Sequence, residues 1–171
     1  MNLLIRKVQT KILQFKSNRL KHDKDFVPFS DIKEAIIFFN SESQSESHII
    51  KYYRILSSYG INTKMLCYSQ DIDIAKMDMR IIYINDNDIS FSGNFKDNAL
   101  DEHLNKQYDV LFDLRNSNNV QSRYIQKIIS SKFLVACSND LEDIDLLIDT
   151  KGEVEDFVDN SIEFLVRIAK P

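Results

Sequence analysis

The stretch YDVLFDLRNSNN, residues 108–119, brings together the residue types that a polar ligand site needs. Asp113 and Arg115 are two positions apart, so on an extended chain their side chains point to the same side and can pair. A helix after them would offer unpaired backbone N–H groups to an anion such as a phosphate. The alternative, which we favour, is that both residues form the polar end of a buried strand, where loop backbone needs hydrogen-bond partners.

The rest of the sequence shows little sign of catalysis or of cofactor binding. It has three glycines, and neither G-x-G-x-x-G nor G-x-x-x-x-G-K-[ST] occurs, so binding of a nucleotide by a glycine-rich loop is not expected. No nucleophile-elbow motif is present, and His22, His48 and His103 are not paired with a nucleophile in any recognisable motif. The acidic run DLEDID, residues 140–145, is interpreted as a solvated loop rather than a cation site. We therefore predict no catalytic residues, no cofactor and no metal, and favour a role other than catalysis.

The elements that must position Asp113 and Arg115 form an α/β pattern. From residue 34 onward, apolar runs typical of buried strands alternate with helical patterns, which predicts a parallel sheet covered by helices. The predicted strands are residues 34–40, 62–69, 80–85, 108–114, 132–138 and 145–150. We expect a three-layer, Rossmann-like α/β fold with a mainly parallel sheet of five to six strands, helices on both faces and a short antiparallel excursion at ISFSG, residues 89–93.

Capping signals mark the starts of the predicted helices. Ser43 and Glu46 form a capping box ahead of a helix that Gly60 ends. Ser117 is predicted to cap the helix after the fourth strand. A second capping box, residues 150–153, opens the last helix.

In such a sheet, ligands bind outside the carboxyl ends of the strands, where consecutive connections diverge to opposite faces. Three polar loops would lie on that edge, at residues 40–45, 113–118 and 138–140. They could bind a sugar, a nucleotide or a phosphorylated metabolite. The candidate ligand-binding residues are Ser43, Ser45, Asp113, Arg115, Asn116 and Ser117.

Residues 1–24 are predicted to form a basic amphipathic helix, added to a single Rossmann-like domain over residues 25–171. The first 24 residues hold seven Lys or Arg against one acid, whereas the rest hold 15 against 25. Spacings of three and four produce an apolar stripe, which must be buried on the same domain or on a second subunit. The central line of the stripe consists of Leu4, Val8, Ile12 and Phe15 and ends at Arg19, and the stripe is widened by Leu3, Ile5, Leu13 and Leu20.

The charge distribution restricts binding of polyanions to this helix. The acidic remainder of the chain repels nucleic acid and anionic lipid, so such ligands would have to contact the bases of the helix. The candidate residues for contact with a polyanion or a protein partner are Arg6, Lys7, Lys11, Lys16 and Arg19. Peripheral binding of anionic lipid or nucleic acid is thus a minor alternative to a protein partner.

Length and cysteine content favour one domain in a reducing compartment. A chain of 171 residues can bury roughly 70% of the surface that it exposes when unfolded. Cys67 and Cys137 lie in apolar runs without C-x-x-C spacing, so free thiols are expected. The sequence contains neither a signal-peptide pattern nor a continuous apolar run of about 18 residues, and we predict a cytoplasmic protein.

Three segments carry a resemblance to a known group of proteins: YDVLFDLRN, then SSKFLVACSND, then DLLID. Together they resemble an uncharacterised family of short bacterial α/β proteins typical of Bacteroidota, a domain of unknown function, over about residues 34–150. A more distant similarity is to the N-terminal half of heptosyltransferase-like GT-B glycosyltransferases. Because the sugar-nucleotide site of those enzymes lies mainly in their C-terminal domain, this resemblance implies a half-fold without a donor site.

These observations predict a non-catalytic Rossmann-like module that binds a protein partner, or associates with itself, through the N-terminal helix. Small-molecule binding, or a glycosyltransferase-like role, at the carboxyl edge of the sheet is the first alternative. Peripheral attachment of the basic helix to anionic lipid or nucleic acid is the second.

Overall fold

A computed structural model describes residues 3–20, 24–41, 46–70, 77–116, 119–148 and 154–168. The helices of these residues are α1 (Leu3–Ser17), α2 (Glu46–Ser58), α3 (Asn98–Asn105), α4 (Val120–Ile128) and α5 (Val154–Ile168). The strands are β1 (Glu34–Asn40), β2 (Asn62–Tyr68), β3 (Ile81–Ile84), β4 (Tyr108–Asp113), β5 (Ser131–Ala136) and β6 (Leu146–Leu147). No helix in these ranges has the length and apolar character to cross a membrane.

All six strands lie in one parallel sheet with the order β3-β2-β1-β4-β5-β6. The predicted parallel α/β sheet is therefore confirmed, and its strand order is that of Rossmann folds. The central strands β1 and β4 are buried on both faces, which is why their sequences are continuous apolar runs rather than alternating ones.

Helices cover both faces of the sheet. Successive side chains of a strand point to opposite faces, so Ile37 and Phe39 pack with α2 and α5, whereas Ile36 and Phe38 pack with α1, α3 and α4. On the first face, the rings of Tyr52 in α2 and Phe112 in β4 meet edge to face with centroids 5.1 Å apart. The result is three layers with an apolar core on each side of the sheet.

Two of the predicted elements differ from the structure. The antiparallel excursion predicted at ISFSG is present only as an isolated antiparallel bridge between Ile89 and Phe95, around a tight turn in which Gly93 adopts φ 85°. Of the last predicted strand, residues 145–150, the described part up to residue 148 contains β6 only at Leu146–Leu147. Very short edge strands are one way in which proteins limit unwanted strand pairing.

The predicted first helix is shorter than residues 1–24. It ends at Ser17, because the backbone N–H of Arg19 bonds to the carbonyl of Lys16, and that of Leu20 to the carbonyl of Ser17, at 3.0 and 3.2 Å. These tighter bonds satisfy carbonyls of the last turn and close the helix.

The start of α4 also differs from the prediction. Its N-cap is Asn119, whose side chain accepts a hydrogen bond from the backbone N–H of Ser122 at 2.7 Å, so Ser117 is not the cap. The predicted capping residues Ser43 and Thr150 lie outside the described residues.

Candidate functional site

The carboxyl ends of β1, β4 and β5 lie side by side at one edge of the sheet, here called the carboxyl edge. Phe38 pairs with Asp113, and Asp113 pairs with Ala136, all in parallel register. The connection after β1 leads to α2 on one face, and the connection after β4 leads to α4 on the other. The divergence that favours ligand binding in such sheets therefore lies between β1 and β4.

Asp113 and Arg115 form a buried ion pair at this divergence. Arg115 donates from Nη2 to Oδ2 of Asp113 at 2.5 Å and from Nε to Oδ1 at 2.8 Å, and both side chains are 0% exposed. The guanidinium lies 4.5 Å from the centre of the Phe38 ring, and Nη2 also donates to Oε1 of Gln126 at 3.3 Å. The pairing expected from the two-residue spacing is present, and it is closed to solvent.

The other predicted residues of the carboxyl edge do not join this pair. Asn116 is exposed beside it, and Ser43, Ser45 and Ser117 lie outside the described residues. A ligand role for the set thus stays a prediction.

Sequence reasoning missed two polar contacts at the same edge. The hydroxyl of Ser41 donates to that of Ser69 at 2.7 Å, which joins the ends of β1 and β2. The Tyr68 hydroxyl donates to Oδ1 of Asp86 at 2.6 Å, and burial together with this carboxylate raises the pKa of Tyr68. The available signal was position, because all four residues stand at the end of a predicted strand or next to it.

Helix α1 packs on α4 through a line of side chains in which Leu13 belongs to the predicted apolar stripe, whereas Gln9 and Ser17 were not predicted. Gln9, Leu13 and Ser17 recur every four residues and are buried. Leu13 fits against the turn at Gly93, where an added Cβ would lie 3.1 Å from its Cδ2 atom. The Tyr124 hydroxyl of α4 donates to the Gly93 carbonyl at 2.6 Å and holds that turn in place.

The central line of the predicted stripe lies beside these residues on α1, and it faces outward. Val8 is 43% exposed and Phe15 is 57% exposed, while Ile12 is half-buried between them. Burial of this stripe on the chain's own domain is therefore incomplete.

The outward stripe borders a groove of about 1000 Å³ between α1, α3 and α4, here called the α1 groove. Its apolar wall includes Val8, Ile12, Phe15, Phe95 and Ile128. Its remaining lining is Lys11, Lys16, Arg19, Leu20, Gly93, Asn94, Asn98, Asp101, Asn105 and Tyr124. The groove combines an apolar floor with cations along its α1 side.

The five cations predicted to contact a polyanion or a partner lie on α1 or, for Arg19, just after it. Arg6, Lys7, Lys11 and Arg19 are exposed, and half-buried Lys16 donates to Oδ1 of Asn94 at 3.1 Å. The guanidinium of Arg19 stacks over the Phe15 ring at 4.0 Å from its centre. Since α1 contains no acidic residue, all of its charged side chains are cations.

The two cysteines are free, and burial raises the pKa of both Cys67 and Cys137 to about 12. Their thiols are protonated at neutral pH and therefore poor nucleophiles. Within the described ranges, no group of three or more His, Cys, Asp or Glu side chains is arranged to hold a metal ion.

A family model described as "Family of unknown function (DUF6913)" matches residues 5–168, which span almost the whole sequence. The chain belongs to DUF6913. The match confirms the expected domain of unknown function, and it covers every strand of the DUF6913 sheet. No significant match was found among curated proteins or among solved structures.

Proposed function

We propose that this DUF6913 protein is a non-catalytic module that binds a protein partner through the α1 groove. The observation that supports this is the outward stripe of α1: Val8 and Phe15 are large, apolar and 43% and 57% exposed, although they lie on the most regular apolar line of the helix. Contiguous apolar surface bordered by polar residues is characteristic of interaction sites.

Energetics favour a partner that fills the groove. Complete burial of one Val or Phe side chain contributes about 1.5–3 kcal/mol. The Phe15 ring stacked against Arg19 supplies an aromatic anchor and an Arg, residue types enriched at interfaces.

Charge selects the kind of partner. Two copies of α1 packed on each other would bring Lys11, Lys16 and Arg19 of one chain against the same cations of the other, which is unfavourable. An acidic amphipathic helix of another protein matches both the apolar floor and the cations. We therefore assign the groove to a segment of that chemistry, with self-association as the less favoured arrangement.

The double variant Val8→Ser/Phe15→Ser tests the proposal, with Phe164→Ser, an aromatic on α5 that is 44% exposed, as the control. Partners captured by crosslinking are purified and titrated calorimetrically against each protein. We expect the double variant to weaken binding by roughly tenfold or more and the control to leave it unchanged.

Three results would count against this function. Equal affinity of both variants would show that the groove is not the binding surface. Loss of a dimer in sedimentation, only in the double variant, would indicate self-association. Binding to anionic vesicles or RNA that weakens steeply with salt would instead support the peripheral role of Arg6, Lys7 and the other α1 cations.

A second candidate function is binding of a sugar, nucleotide or phosphorylated metabolite at the carboxyl edge, in keeping with the resemblance to GT-B glycosyltransferases. It is favoured by the divergence of the connections after β1 and β4. A ligand that raises the melting temperature, with the rise lost in Asp113→Ala and Arg115→Ala, would support it. The free cysteines favour a cytoplasmic location, and the Asn-, Ile- and Lys-rich composition favours a bacterial source of the Bacteroidota type.

A further inference from the structure

A second cavity lies at the C-terminal end of α1, and Gln126, which accepts a hydrogen bond from Arg115, is part of its lining. It encloses about 440 Å³ between the end of α1, helix α4 and the segment that joins β5 to β6, and we call it the polar crevice. Its lining is Ser17, Asn18, Leu20, Lys24, Arg123, Gln126, Lys127, Ile129, Ser131, Leu134, Glu142, Asp143 and Asp145. Its volume falls within the range of small-molecule sites.

The crevice wall carries three cations and three carboxylates in alternating pairs. Lys24 donates to Oδ1 of Asp145 at 2.6 Å and to the carbonyl of Asp143 at 2.8 Å. Arg123 pairs with Glu142, and Lys127 pairs with Asp143. The wall is thus neutral overall but strongly polar, with charges of both signs close together.

Two buried polar atoms on this wall have no hydrogen-bond partner in the structure: Oγ of Ser17 and Nε of Arg123. Ser17 is only 2% exposed, so solvent does not take the place of a partner. Buried polar groups are nearly always hydrogen-bonded, and each exception calls for an explanation. The Nε–H of Arg123 can only donate, so its missing partner is an acceptor, and the Ser17 hydroxyl is able to donate to an acceptor as well.

From this arrangement we propose that the polar crevice binds a small zwitterion of the α-amino acid class. The ligand's carboxylate would accept from Arg123 and Ser17, and its ammonium would be balanced by Glu142 and Asp143. A dianion such as phosphate would face three carboxylates. An amine alone would leave the two donors without an acceptor.

The inference is independent of partner binding in the α1 groove, and it is tested on the full chain by thermal shift and calorimetry. The probes are the standard L-amino acids at millimolar concentration, with acetate and methylammonium as single-charge controls. We expect at least one amino acid to raise the melting temperature on the order of 5 °C, and neither control to do so.

Two variants locate the site. Arg123→Lys keeps the charge opposite Glu142 but removes Nε, and Ser17→Ala removes the other donor with little change in packing. Each is expected to raise the Kd of the responding amino acid roughly tenfold. Arg167→Lys, on α5, is the control and should leave the Kd unchanged.

The proposal is overturned if no amino acid shifts the native protein. It is equally overturned if acetate or methylammonium reproduces the shift, or if both crevice variants bind as tightly as the native chain. Because Ser17→Ala deletes an unpartnered hydroxyl, it should fold normally even if Arg123→Lys does not.

Discussion

Replacing Arg115 by Met should destabilise the fold severely, and the chain contains its own control for this effect. Asp78 and Arg80 have the same two-residue spacing and the same contacts, Nε to Oδ1 at 2.8 Å and Nη2 to Oδ2 at 2.5 Å. The pair Asp113 and Arg115 has these distances as well, but it is 0% exposed, whereas the side chains of Arg80 and Asp78 are 43% and 22% exposed. A comparison of the two pairs therefore isolates the effect of burial.

The magnitude follows from the bonds that Arg115→Met removes, two to Asp113 and one to Gln126. Each hydrogen bond to a charged group contributes about 1.5–3 kcal/mol, and breaking a buried ion pair costs about 3–5 kcal/mol because the remaining charge stays desolvated. We expect a loss of this size in the free energy of unfolding, a large part of the roughly 5–15 kcal/mol typical of a domain. Arg80→Met should leave the stability almost unchanged, because water replaces the lost partner.

The assay is equilibrium urea unfolding at neutral pH, followed by circular dichroism. The double variant Asp113→Leu/Arg115→Met should recover most of the stability, because replacing both charges removes the uncompensated carboxylate. If Arg115→Met costs no more than Arg80→Met, then Asp113 is hydrated and the pair is not a structural strand end. If Arg115→Met instead gains stability, the ion pair is not structural and would be maintained for a ligand at the expense of stability.

Three further outcomes can be measured on the purified protein. Gly93→Ala should lower the urea midpoint more than Gly60→Ala. Both glycines have positive φ, but a Cβ at Gly93 would meet side chains at 3.0 to 3.2 Å, whereas a Cβ at Gly60 would meet nothing within 4 Å. Equal losses would contradict close packing of α1 against the turn at Gly93. Burial raises the pKa of Asp109, but hydrogen bonds from the Lys132 ammonium and from the backbone N–H groups of Lys33 and Glu34 outweigh burial, so the pKa is lowered overall. The stability that this carboxylate adds is present at neutral pH and is lost as the pH falls through its folded pKa. Asp109→Asn should therefore flatten the dependence of the urea midpoint on pH below about pH 4. Cys67 and Cys137 should react slowly with a thiol reagent at neutral pH until urea unfolds the chain, and rapid labelling of the native protein would show that their thiols are accessible.

Much of the architecture is already determined by the sequence. A strand buried on both faces must be apolar throughout, so the continuous runs that became β1 and β4 indicate a covered parallel sheet before any coordinates are known. The pairing of Asp113 with Arg115 is similarly local, because it depends only on the two-residue repeat of an extended chain. Such features follow from neighbours in the sequence.

Other features depend on residues that are distant in the sequence. Helical periodicity identifies two adjacent lines on α1, but the turn at Gly93 and the hydroxyl of Tyr124 decide that Leu13 is buried and Phe15 is left outside. The polar crevice likewise depends on Lys24 meeting Asp145, 121 positions away. Tertiary packing alone decides such contacts, because the shape of a binding surface is set by whichever segments the fold brings against it.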